Sequence, residues 1–272
     1  MTTTRSNKGA LRRALTVAVA LGLLAAGCAK QPPSAAKPMD LPADTDFGEA
    51  IVARAKPYTA MGKVKIEGAN LPWADADILV HPEQGVRIDA FSPVMTPIAS
   101  VALRPNGAEF LNFRNLVLTK GDPAAVTEAM LGVPMDTRAL PWLLAGSLPP
   151  MGDGWHLQKM RPGMEAGEVL MQAYGEDVVY DAIVVRETGA VRRFEARYGQ
   201  LGSGDPYLTV ELSAHDPGEI PVPHDLRLVT DQRPEALLIH LKKIDFSDMP
   251  LDIEFVILPN NDTHVIDLNA RR

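Results

Sequence analysis

Among 272 residues there is a single cysteine, Cys28. No disulfide can form within the chain, so a folded domain must be held by its core alone. Basic charge is in deficit: 27 Lys+Arg stand against 34 Asp+Glu, a net charge of −7, which disfavours nucleic acid and anionic lipid surfaces as partners. Membrane-spanning apolar runs are missing as well. The uncharged stretch Ala14 to Ala26 falls short of the roughly 20 residues that a transmembrane helix needs. No nucleophile elbow, phosphate-cradling glycine loop or dinucleotide fingerprint occurs. The histidines His81, His156, His215, His224, His240 and His264 are scattered, with no two at ligand spacing and no second cysteine to help them, so neither a metal site nor a cofactor is expected. His215-Asp216 and His224-Asp225 come nearest to an acid–base or metal cluster, but Pro217, Gly218, Pro221 and Pro223 lie between them and read as a loop. Catalysis is therefore not expected.

The N-terminus carries the most specific signal. Arg5, Lys8, Arg12 and Arg13 precede the uncharged run, which closes on Leu24-Ala25-Ala26-Gly27-Cys28. A basic head, a short apolar middle and small residues at the cut are the marks of an export signal. The small pair directly before cysteine resembles a bacterial lipobox, with Ala25 where Leu is commoner. The expectation is a signal peptide over 1–27, removed to leave Cys28 as an acylated N-terminus. Several acyl chains, at about 0.8 kcal/mol per buried methylene, anchor durably. Removing 27 residues from 272 leaves 245, with 23 Lys+Arg against 34 Asp+Glu and a net charge of −11. The stretch 28–45 holds Pro32, Pro33, Pro38 and Pro42 without apolar periodicity, and reads as an extended tether. The domain proper is expected over 46–272.

Asp46 to Lys56 has Phe47, Ala50, Ile51 and Ala55 at helical spacing, ending before Pro57. The period then changes to two. Val64 and Ile66, then Ala76, Ile78 and Val80, then Val86 and Ile88 each alternate with charged neighbours, as half-buried strands do. Ile98 to Leu103 and Glu109 to Phe113 flank Pro105-Asn106-Gly107, whose Asn-Gly suits the positive φ values of a tight hairpin. Short connections imply antiparallel pairing. Asp122 can cap a helix opening on Pro123 and ending at Gly132. A second helix within Thr137 to Ala145 carries Leu140, Trp142, Leu143 and Leu144 over too broad a face for solvent, and Pro141 implies a kink or a late start. Strand alternation resumes after Trp155 over 169–174, 178–186, 191–198, 207–214, 226–230, 236–244 and 253–258, with Leu208, Val210, Leu212 and Ala214 the cleanest set. About a dozen strands exceed what a flat open sheet holds comfortably and favour curling around a core.

Between Val86 and Pro150 the features follow a specific order: VRIDAFSPVMTPIASVAL, a hairpin, a helix ending LGVPMD, then RALPWLLAGSLP. This resembles the outer-membrane lipoprotein receptor family of LolB. The matching residues are Arg87, Ser92-Pro93-Val94, Leu131-Gly132-Val133-Pro134, and Trp142 with Gly146. PHDLRLV, LLIHLKKIDF and IEFVILP resemble the closing strands that LolB shares with its soluble relative LolA. The resemblance implies a mainly β (α+β) fold, an unclosed antiparallel barrel of about 11 strands whose concave apolar face is covered by helices, with lipoprotein acyl chains bound between.

On this reading the protein is a monomeric receptor facing the periplasm from the outer membrane, held there by its lipid anchor. It takes lipoproteins from a periplasmic LolA-like carrier and inserts them. Ala29, in place of Asp after the lipidated cysteine, agrees with that destination. The cavity is expected from Val64, Ile66, Ile88, Leu208, Val210 and Leu212 on one strand face, with Trp142 and Leu143. Val94 and Met95, between Pro93 and Pro97, are expected as an exposed finger that touches the membrane. The alternative is a lipid-anchored structural or interaction module whose β core is filled by its own side chains. An envelope hydrolase would need an acidic–histidine cluster in a cleft.

Overall fold

A computed structural model describes residues 47–68, 72–131, 137–151, 154–158, 164–199, 204–217, 220–247 and 252–269. The expected signal peptide over 1–27, Cys28 and the expected tether over 28–45 lie outside the described residues, as do Gly132, Val133 and Pro134.

Among the described residues three helices and fourteen strands follow one another. Helix α1 (Phe47–Ala53) precedes a meander of β1 (Tyr58–Glu67), β2 (Ala74–His81), β3 (Gly85–Phe91), β4 (Pro97–Arg104), β5 (Gly107–Asn112) and β6 (Val117–Gly121). Helices α2 (Pro123–Leu131) and α3 (Ala139–Leu144) interrupt it. A second meander has β7 (His156–Gln158), β8 (Glu168–Tyr174), β9 (Val178–Val185), β10 (Val191–Tyr198), β11 (Leu208–His215), β12 (Pro223–Thr230) and β13 (Arg233–Asp245). A 3-10 turn (Asp252–Phe255) and β14 (His264–Asp267) close the chain. All strands form one sheet in the order β14-β6-β5-β4-β3-β2-β1-β13-β12-β11-β10-β9-β8-β7. The two meanders join where β1 pairs β13, with Val64 opposite Ile239 and Ile66 opposite Leu237. The sheet does not close, and β14 and β7 are its edges.

Strand alternation sorts the side chains of β1, β2, β11 and β12 onto two faces, whereas β8, β9 and β10 bury consecutive residues. Ala60, Ile78 and Ile88 share one cross-strand row, and Phe194, Val210 and Leu228 share another. These face inward, and α1, α2 and α3 supply Phe47, Ile51, Val126, Leu140, Leu143 and Leu144 to the same core. The Tyr58 hydroxyl donates to the Leu144 carbonyl at 3.0 Å, which fixes α3 across the inner face. Burial pushes the Tyr58 pKa far upward. Arg54, just past α1, donates to the carbonyls of Thr188 at 2.9 Å and Gly146 at 2.8 Å and also to that of Gly189. Burial without a carboxylate lowers its pKa to about 10. Gly146 has φ +71°, and a Cβ there would lie 2.5 Å from the Pro221 carbonyl oxygen, so only glycine fits where the chain leaves α3.

Four features depart from the sequence reading. Fourteen strands replace about 11, because β6, β7 and β14 are too short to show a period. Residues 253–258 are not a strand: Asp252–Phe255 is a 3-10 turn, and the alternation of Phe255 and Ile257 reflects burial against the sheet's outer face rather than a ladder. The β4–β5 turn takes no positive φ at Asn106 or Gly107, since Pro105 holds the first turn position at negative φ and thereby excludes the mirror-image turn. Ala214, at φ +53°, is exposed rather than inward like Leu212. The pairing is antiparallel throughout except at the edge, where β14 runs parallel to β6.

Candidate functional site

The inner face ends in a cavity of about 540 Å³. Its walls are the β2–β3 turn (Pro82, Glu83), the end of β4 and its turn (Leu103, Arg104, Pro105), the start of α3 (Thr137, Arg138, Ala139, Pro141, Trp142), the segment Pro149 to Met151, and the β8–β9 turn with Tyr180. In strand order β4 and β8 are nine places apart, about 40 Å in a flat sheet. That both line one cavity demonstrates the curl of the sheet.

Local sequence explains how the helices and the Pro149 segment are set. Asp122 caps α2, its Oδ1 accepting from Ala124 N at 3.0 Å. Helix α3 starts late, so Pro141 falls in the first turn, where its missing donor costs nothing. Five of its six residues are buried; Ala139, Pro141 and the half-buried Trp142 border the cavity. The Trp155 indole N–H donates to the Pro149 carbonyl at 2.8 Å, which seats Pro149 and Pro150 beside the opening. The surface is aromatic and proline-rich, with Glu83, Arg104, Arg138 and Glu176 as its charged members. The lining is therefore mixed, with apolar rings and prolines alongside these four charged side chains.

Of the eight residues expected to line a cavity, Trp142 lies on this one. Leu143, Leu208, Val210 and Leu212 are all buried in the continuous core, Val64 and Ile88 pack half-buried against it, and Ile66 is exposed. Sequence reasoning missed Pro82, Met151, Tyr174 and Tyr180, which come from turns and strand ends far apart in the chain and carry no local signal.

Val94 and Met95 cap the β3–β4 hairpin with relative exposures of 81% and 65%. The turn is closed by Met95 N to Ser92 O at 2.8 Å and Ser92 N to Thr96 O at 2.9 Å, and the Ser92 hydroxyl accepts from Thr96 N at 3.1 Å. Met95 sits at φ +60°, a strained conformation for a non-glycine residue. This hairpin is at the opposite end of β3 from the β2–β3 turn that lines the cavity, about 20 Å away by the rise of a seven-residue strand.

The histidine-rich loop forms two separate pairs: His224 Nε2 lies 2.7 Å from Asp216 Oδ1, and His240 Nδ1 lies 2.6 Å from Asp225 Oδ1. Burial alone would lower the His224 pKa, but the Leu241 carbonyl and the Asp216 and Asp225 carboxylates outweigh it and raise the value. His215 is shifted down, chiefly by burial. Among the described residues no group of three metal-binding side chains occurs, and no helix is long and apolar enough to cross a membrane.

The sequence matches no protein-family model and none of the curated proteins. Solved structures do match. A protein of the DUF1329 family from Desulfovibrio piger aligns with a TM-score of 0.52 at 8% identity, covering 79% of this chain and 98% of its own. A putative outer membrane lipoprotein-sorting protein domain from Vibrio parahaemolyticus aligns with a TM-score of 0.50 at 7% identity, covering 78% and 94%. A LolA superfamily protein from Nitrosomonas europaea aligns at 0.49 and 11% identity, covering 76% and 96%. At such identities the likeness to the first two is one of fold alone: a mostly β chain curled into an unclosed antiparallel sheet.

Proposed function

We propose that this chain is a lipid-handling protein of the bacterial envelope that receives the acyl chains of lipoproteins beneath α3 and delivers them to the outer membrane. The observation that carries the reading is the cavity of about 540 Å³ with Trp142 on its wall, at the end of a curled sheet of LolA-like fold. Its size falls within the range of about 300–1,000 Å³ that small-molecule sites occupy. Apolar surface removed from water there stabilises a bound chain by about 25 cal/mol per Å² without any reactive group. The Val94–Met95 hairpin supplies the contact with the target membrane, and acylated Cys28 with the 28–45 tether keeps the domain near it. A LolA-like periplasmic carrier is the donor, and the receptor acts as a monomer.

A photoreactive phenylalanine analogue at position 142 tests this in the acylated protein. Cross-linking to a lipoprotein acyl chain is expected, and the same label at the buried position 208 is expected to yield none. The second reading, a lipid-anchored module with a filled core, draws on the near-complete burial of Leu143, Leu208, Val210 and Leu212. Absence of cross-linking at position 142 in a folded protein would favour it and remove the receptor reading.

A further inference from the structure

We propose that the outer face of the sheet carries a second lipid site, a slot that takes one acyl chain of a zwitterionic membrane phospholipid when the β3–β4 hairpin touches a bilayer. The inference rests on the membrane-contact reading above and adds a binding site to it. The slot, of about 380 Å³, lies between the outer face and the segment that runs from the 3-10 turn toward β14. That segment is pinned at its start by Arg87, which donates to the Glu254 and Val256 carbonyls, and by Glu109, which accepts from Ile257 N at 2.7 Å. At its far end His264 N donates to the Leu116 carbonyl at 2.8 Å. It therefore spans the outer face from the β2–β3 end to the β5–β6 turn.

The slot is built for an apolar occupant. Leu111, Phe113, Leu116, Val256, Ile257 and Leu258 line it. The hydrogen-bonding side chains beside them are engaged: Arg87 with Asp89 at 2.9 Å, Ser100 with Asp89, and Thr263 Oγ1 with Asn260 Oδ1 at 2.7 Å. Antiparallel alternation puts the β5–β6 turn at the same end of the sheet as the hairpin, and Phe113 N donates to the Ile98 carbonyl at 3.1 Å to join them. Ile98 and Ser100 are successive outward residues of β4, and Ser100 lines the slot. Exposed apolar side chains thus run from Val94 and Met95 through Ile98, at 44%, to Leu258 at the slot, at 75%. Arg114 and Asp262 are exposed in the two adjoining turns. One charge of each sign suits a headgroup that carries both, such as phosphatidylethanolamine, and attraction falls to the acyl chain rather than to net charge.

The test uses the acylated full chain in liposomes of phosphatidylethanolamine and phosphatidylglycerol doped with phosphatidylethanolamine bearing a diazirine near the end of one acyl chain. After irradiation, labelled peptides are mapped by mass spectrometry. Labelling is expected at 94–95 and also at Phe113 and 256–258, and Val256→Trp, which fills the slot, should abolish the second set while leaving the first. Thr263→Trp, at the same wall, provides a second filler should Val256→Trp melt early. Labelling confined to 94–95 overturns the slot and leaves the membrane contact standing. Slot labelling that survives both fillers overturns it too, as surface adsorption. Labelling at neither place removes both ideas.

Discussion

Arg87 Nη1 donates to the Glu254 carbonyl at 2.8 Å, tying β3 to backbone 167 residues further along the chain. One guanidinium so replaces the sheet ladder that residues 253–258 do not form. Charge-assisted bonds of this kind contribute about 1.5–3 kcal/mol when shielded, and the partial exposure of Arg87 puts it at the low end. Arg87→Ala should lower stability in urea by about 1–2 kcal/mol and speed hydrogen exchange at Ile257 and across β14, with the inner core unaffected. Unchanged exchange at Ile257 would show that Glu109 alone holds the segment.

Trp142 and Leu143 are neighbours with opposite duties. Leu143, 1% exposed, belongs to the core, so Leu143→Ala should cost about 2–5 kcal/mol. Trp142 is half-buried against the cavity, and Trp142→Ala should cost distinctly less stability while weakening binding of a fluorescent acyl probe. Equal binding by the folded Trp142→Ala protein would argue that the cavity is not where chains enter.

The two shifted histidines give stability a pH dependence of opposite sign. His224 has a raised pKa in the folded state, so its contribution is complete below the ordinary value of about 6.5 and disappears as pH rises through the folded value. His215 has a lowered pKa, so its contribution is present above about 6.5 and disappears as pH falls through the folded value. Urea midpoints measured between about pH 5 and pH 8 should show His224→Gln losing stability mainly at the acid end and His215→Gln mainly at the neutral end. The same pH profile for both variants would contradict the assignment.

How much of this was legible beforehand follows the range of the interactions. Periodicity located most strands, because a residue such as Leu212 needs only its own strand's alternation to be placed inward, and the capping signal at Asp122-Pro123 is equally local. The interior of α3 also read correctly as inserted. What failed depends on distant partners. β14 pairs parallel to β6 through a connection of well over a hundred residues, and nothing in His264–Asp267 hints at it. The cavity wall is made of Pro82, Tyr174 and Met151, each unremarkable in its own segment and joined only by the curl of the sheet. Leu208, Val210 and Leu212 show the reverse problem: alternation assigns a face, but whether that face meets a ligand or another side chain is set by what packs across from it.

The hairpin tip provides the sharpest test of function against stability. Met95 holds φ +60°, a conformation that costs a side-chain-bearing residue about 1–2 kcal/mol, and it presents that side chain to solvent at 65% exposure. Neither burial nor a side-chain hydrogen bond offsets the strain, which points to a use for the exposed apolar group. Met95→Gly should therefore raise the urea midpoint, by roughly 0.5–1 kcal/mol after the entropy that glycine adds to the unfolded chain, and yet reduce transfer of cargo to liposomes. Val94→Glu with Met95→Glu should leave stability within about 0.5 kcal/mol, as exposed substitutions usually do, and reduce transfer further while acyl binding at the Trp142 cavity persists. If Met95→Gly is more stable and transfers cargo as well as the natural sequence, the tip has no part in delivery and Met95 is merely a tolerated turn residue.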